Sequence, residues 1–136
     1  MHIISTIWYG IQSSLFPFLE EELGPLTEFH RKLAAILEVV RVEDLISNEY
    51  WFGHPPADRK ALGRAYVGKA VYNAPTTRAF RDRIMNDPVL RRICGWEKRS
   101  QVPSEATFSR AFTEYAEKRL PEVVQKALIE RTLSEQ

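Results

Sequence analysis

The chain has one cysteine, Cys94, among its 136 residues. That excludes an internal disulfide and points to a reducing, cytoplasmic setting. Histidine is almost as scarce. His2, His30 and His54 are widely spaced in sequence, which leaves no metal-ligand pattern of paired Cys or His-Glu-x-x-His type. No Gly-rich phosphate loop is present, and no cofactor or small-molecule substrate is implied. No run approaches the about 18 apolar residues that a membrane span needs. The opening Met1-His2-Ile3-Ile4-Ser5 lacks the basic flank of a signal peptide. Stretches of alternating apolar and polar residues joined by tight turns are also missing, so a sheet is not expected.

What is present is helical patterning with unusually clear punctuation. Ser14 to Leu23 reads as a first helix stopped by Gly24, and Pro25 opens a second. On that second helix Leu26, Phe29, Leu33, Ile36, Leu37 and Val40 recur in steps of three and four and form one apolar stripe. Val42 to Ile46 reads as a continuation or a short turn, and Asn48 to Pro56 as a loop. A third helix, about Ala57 to Tyr72, is apolar around most of its circumference, which suits a central position. Thr76 caps a fourth helix to Met85, with Phe80 and Ile84 inward and Arg78, Arg81 and Asp82 outward. Asp87-Pro88 starts a short fifth helix, Val89 to Cys94, ended by Gly95. A basic loop from Trp96 to Pro103 follows. Ser104 caps a sixth helix running to Arg119, Pro121 stops or kinks it, and Glu122 to Leu133 forms the last. The expectation is an all-α, compact multi-helix bundle containing a variant helix-turn-helix.

Net charge is only +1, but its distribution is uneven. Residues 1–57 carry three basic and eight acidic side chains, or −5. Residues 58–110 carry twelve and five, or +7. Residues 111–136 carry four and five, or −1. This divides the chain into an acidic N-terminal helical arm or support (1–57) and a basic helical domain (58–136). A segregated positive segment is what an anionic duplex attracts, although Arg and Lys that merely solvate helix surfaces give the same count.

At 100° per residue, Phe108, Ala111, Phe112 and Tyr115 share one face of the sixth helix, and Ala106, Arg110, Thr113 and Glu117 the other. Arg110 thus faces solvent among small side chains, with Thr107 and Ser109 on its flanks. Arg pairs with guanine or phosphate, and Ser and Thr donate to phosphate. Arg78 and Arg81 on the fourth helix and Lys98 and Arg99 in the loop extend the cationic surface. The expected DNA-binding set is Arg78, Arg81, Lys98, Arg99, Ser104, Thr107, Ser109 and Arg110, with double-stranded DNA as partner. A capped amphipathic helix with an exposed Arg also occurs where no DNA is bound. The alternative is a helical interaction module, or a homodimer formed through the N-terminal helices by the apolar stripe and by Trp8, Tyr9, Phe16 and Phe18. Cys94 reads as a packed thiol whose pKa Arg91 and Arg92 could lower.

Four segments in order resemble one family. They are Leu62-Gly63-Arg64-Ala65-Tyr66-Val67-Gly68-Lys69-Ala70, Thr77-Arg78-Ala79-Phe80, Asp87-Pro88-Val89-Leu90-Arg91-Arg92-Ile93-Cys94-Gly95-Trp96, and Pro103-Ser104-Glu105-Ala106-Thr107-Phe108-Ser109-Arg110-Ala111-Phe112. From about Asp58 to Leu133 the chain resembles the N-terminal helical domain of bacterial insertion-sequence transposases of the DDE class. The resemblance implies binding to the terminal inverted repeats of a mobile element. It further implies that cutting and joining belong to a later ribonuclease-H-like domain with three acidic residues and two divalent metals. No residue here is assigned to that acidic triad, so the chain reads as an excised domain or truncated product that holds DNA without cleaving it.

Overall fold

The computed structural model describes residues 11–40 and 59–133, with side chains from 13–40 and 59–130. The expected turn at Val42–Ile46, the loop at Asn48–Pro56, the proposed boundary at residue 57, His2, His54, Trp8 and Tyr9 all lie outside the described residues. Within them there are seven α-helices and no strand. These are α1 (Phe16–Leu23), α2 (Glu28–Val40), α3 (Arg59–Val71), α4 (Thr77–Asn86), α5 (Pro88–Cys94), α6 (Glu105–Glu117) and α7 (Leu120–Leu133). The protein is all-α, as its punctuation predicts. No described helix is long and apolar enough to cross a membrane.

Local chemistry sets the ends. A wide π-turn, Ile11–Leu15, leads into α1, where Pro17 stands in the first turn and lacks the N–H that would carry the α ladder back. The second helix starts later than Pro25. Thr27 caps it: its carbonyl accepts from Arg31 N, and its Oγ1 accepts from His30 N at 3.2 Å. The Thr27 amide in turn donates to His30 Nδ1 at 3.0 Å, a reciprocal pair with histidine in the place usually held by Glu or Gln. Asp87 caps α5 through Leu90 N, and Gly95 closes it at φ +119° in the left-handed region.

The last two helices differ from the sequence reading. The sixth ends at Glu117, and Arg119 at φ +59° turns the chain. Pro121 then sits inside the first turn of α7 instead of before it. A proline there loses nothing, because first-turn N–H groups have no helical acceptor.

One core cluster joins α2 to α7. Leu33 and Leu37 pack with Leu62, Ala65, Phe80, Ile84, Leu90, Cys94, Trp96, Phe108, Phe112, Tyr115 and Leu120. The central helix is α3, which touches α2, α5 and α6. Its Gly68 admits the Phe80 ring so closely that a Cβ there would stand 2.8 Å from Phe80 Cζ. The buried face of α2 runs through His30, Leu33, Ala34, Leu37 and Val40. Phe29, placed in the stripe by periodicity, is instead 45% exposed and stacks on Tyr72 at 5.0 Å.

Candidate nucleic-acid interface

The interface is built outward from α6. Phe108, Ala111, Phe112 and Tyr115 are buried. Phe108 meets Trp96 at 5.6 Å and Phe112 edge-on at 5.6 Å. Tyr66 of α3 sits edge-on to both Phe112 and Tyr115. At the far end, Tyr115 Oη donates to the Arg59 carbonyl at 2.8 Å, and the Arg59 guanidinium pairs with Glu114 at 2.6 Å, with both side chains largely out of solvent. Burial pushes the Tyr115 hydroxyl up to about 12 against the opposing pull of Arg59, so it stays a donor at neutral pH. One face of α6 is thereby fixed in the core, and the other faces solvent.

Ser104 caps that helix, its Oγ accepting from Thr107 N at 3.3 Å. The two hydroxyls are 3.1 Å apart, and Arg110 Nη2 donates to Thr107 Oγ1 at 3.4 Å. Ser104, Thr107 and Arg110 therefore form a polar edge with a three-residue step, which is the repeat of one helix face. Ala106, Ser109, Arg110 and Thr113 are exposed, and Thr107 is half-buried.

The basic turn ahead of α6 is held at both ends. Trp96 and Val102 are buried, while residues 97–101 between them are all exposed. A short 3₁₀ turn, Arg99–Gln101, lies there, with Gln101 Oε1 accepting from Lys98 N at 2.9 Å. Two apolar anchors with five residues between them leave the cations of that turn nowhere to go but outward. Sequence reasoning took Trp96 as part of the basic loop. Its role as an anchor was legible only in its size and apolar character.

On α4, Thr76 caps the start through Ala79 N, and Arg78 is exposed. Arg81 departs from the outward placement expected of it. It is half-buried, and its Nε donates to the Pro103 carbonyl at 2.7 Å. This bond and the packing of Phe80 and Ile84 bring α4 against the start of α6. Arg78 stands three residues earlier on the same helix. Arg83, not among the expected set, lies with its guanidinium 4.8 Å above the Tyr72 ring.

Burial pushes the Cys94 thiol up to about 12, and the opposing guanidinium is Arg64, not Arg91 or Arg92. Arg91 is itself buried and donates from Nη1 to the Ile84 and Met85 carbonyls, so it closes the end of α4. The thiol is packed and protonated. His30 is likewise engaged within the fold, through Asp87. Among the described residues no group of three or more His, Cys, Asp or Glu could hold a metal ion.

No curated protein and no solved structure matches the chain. A family model described as "Transposase domain (DUF772)" matches residues 18–114, which run from within α1 to most of α6 and include Arg78, Arg81, Lys98, Arg99, Ser104, Thr107, Ser109 and Arg110. The chain belongs to this transposase-domain family.

Proposed function

We propose that this chain is a DNA-holding domain of a DDE-class insertion-sequence transposase, and that it recognises the terminal inverted repeats of its element. The polar edge Ser104–Thr107–Arg110, with Ser104 and Arg110 exposed and Thr107 half-buried between them on a helix whose other face is locked in the core, carries this reading. In this reading α4, α5 and α6 act as a variant helix-turn-helix, with a long connection before the helix that reads the groove. Arg110 contacts a base edge or phosphate. Ser109 and one hydroxyl of the hydrogen-bonded Ser104–Thr107 pair donate to phosphates, and Arg78, Lys98 and Arg99 neutralise the flanking backbone. Arg81 lies within the same surface. The chain contributes binding, and strand cleavage belongs to acidic residues elsewhere in the parent transposase.

Gel-shift titration on the inverted repeat flanking the coding sequence, beside a scrambled duplex, tests the proposal. Tighter binding to the repeat is expected, and equal, weak binding to both would remove the claim of end recognition. A second reading, self-association through the N-terminal helices, draws on one observation. A groove of about 790 Å³ between α1 and α2 is lined by apolar Phe16, Pro17, Ala35 and Ile36 and by charged Glu20, Glu28, Arg31 and Lys32. Sedimentation across a concentration series separates it from DNA binding, because only self-association changes the mass without a duplex.

A further inference from the structure

We infer that Arg81 is a positioning residue for this interface: it fixes the start of α6 against α4 and so sets the angle at which Arg110 meets a duplex. The inference rests on the DNA-binding reading and assigns Arg81 a different task from its cationic neighbours. Arg78, Lys98, Arg99 and Arg110 are exposed, whereas Arg81 is half-buried and its Nε is committed to main chain. The bond to the Pro103 carbonyl is 2.7 Å and spans 22 residues of sequence. That length is typical of a charged donor, which makes the bond stronger than a neutral one.

Its place matters more than its strength. Pro103 immediately precedes the capping residue Ser104. A carbonyl ahead of the N-cap lies outside the helix's own hydrogen-bond ladder and needs a partner from elsewhere. Arg81 supplies it, and in doing so ties the residue just ahead of the α6 N-cap to the middle of α4. The nearest anchors on the connection are Val102 and Trp96, which are apolar and fix depth but not direction. The buried face of α6 sets its general orientation, and a directional bond at the helix start adds the constraint that holds its N-terminal end against α4. Ser104, Thr107 and Arg110 are linked in series from that point, so their orientation follows from it.

Positioning and direct phosphate contact predict different measurements. Each phosphate neutralised contributes about −0.9 to the slope of log affinity against log salt on B-form DNA. Loss of a contact flattens that slope on any sequence, whereas loss of orientation affects the correct sequence most. The experiment is fluorescence anisotropy over a salt series. The proteins are wild type, Arg81→Gln, Arg81→Lys and Arg78→Gln, and the duplexes are the flanking inverted repeat and its scrambled form. Circular dichroism and thermal melting confirm that each variant is folded.

For Arg81→Gln the expected result is about tenfold weaker binding to the repeat, under twofold loss on the scrambled duplex, and an unchanged salt slope. Arg81→Lys should behave like Arg81→Gln, because lysine keeps the charge but has no donor at the Nε position. Arg78→Gln should flatten the slope by about 0.9 on both duplexes. Equal losses with a flattened slope, restored by Arg81→Lys, would make Arg81 a phosphate contact and overturn the inference while leaving the DNA reading intact. No change in either Arg81 variant overturns it as well. Failure of the wild type to bind either duplex removes the DNA reading, and this inference with it.

Discussion

His30 and Asp87 are hydrogen-bonded across the packing of α2 on α5, Nε2 to Oδ2 at 2.8 Å. Since His30 Nδ1 accepts from the Thr27 amide, Nε2 carries the proton and donates. The other carboxylate oxygen, Oδ1, caps α5 through Leu90 N. One aspartate thus holds a helix start and receives a side chain from the acidic part of the sequence. Either His30→Ala or Asp87→Ala should cost about 1–3 kcal/mol, because each leaves a partly buried partner unmet. The double variant should cost less than the two together, by about 0.5–3 kcal/mol. Urea denaturation of the four proteins measures this coupling, and strict additivity would contradict it.

Gly68 should tolerate no side chain. An added Cβ would lie 2.8 Å from Phe80 Cζ and 3.3 Å from Leu33 Cδ2, and both residues are fully buried. Gly68→Ala should lower stability by about 1–3 kcal/mol, the usual cost of overpacking. Trimming the ring with Phe80→Leu in the Gly68→Ala background should recover part of the loss. A melting temperature unchanged by Gly68→Ala would contradict the close approach of the Phe80 ring to Gly68.

Stability should fall at alkaline pH. Burial raises the Cys94 thiol from 9.0 to about 12 and the Tyr115 hydroxyl from 10.0 to about 12, and it raises Tyr66 and Tyr72 as well. A raised acid keeps its proton in the folded state while the unfolded chain loses it. The contribution is therefore complete below the unfolded value and is lost as pH rises towards the folded one. Urea midpoints should decline from about pH 9 upward. A flat profile from pH 8 to 11 would contradict the burial of these groups.

Binding and stability should separate on α6. Arg110 is exposed, so Arg110→Ala should change stability by no more than about 0.5 kcal/mol. If it reads a base edge, the same change should weaken binding to the inverted repeat by about 1–3 kcal/mol. At the other end of the helix the reverse holds. The close Arg59–Glu114 pair is withdrawn from solvent, and Glu114→Gln should destabilise strongly, towards the about 3–5 kcal/mol seen when one buried partner is removed. A large stability loss in Arg110→Ala would show that its role is structural.

Most of the helical order was legible because Thr76, Asp87, Gly95 and Ser104 announce helix ends through local chemistry. The buried face of α6 was legible for the same kind of reason, since Phe108, Ala111, Phe112 and Tyr115 keep a helical period. The misses are non-local. Periodicity placed Phe29 inward, but Tyr72 offers it a stacking partner at the surface. Outward-facing spacing on α4 could not reveal that Arg81 meets a carbonyl 22 residues away. Nor could the one-dimensional pattern show that Arg59 is buried against Glu114, because charged residues are ordinarily read as surface. In sequence Pro121 reads as a stop or a kink because proline both ends and opens helices, and only the turn at Arg119 shows that it opens α7.

Hydrogen exchange on the protein, free and bound to the flanking inverted-repeat duplex, tests the central claim most directly. DNA held by this surface should slow exchange at the turn 97–101, at the first two turns of α6 and at the start of α4. The amides of α1 and of the α2 face lining the groove should be unchanged. No protection around Ser104 to Arg110 in the bound protein, or protection confined to α1 and α2, would contradict the assignment of this surface to DNA.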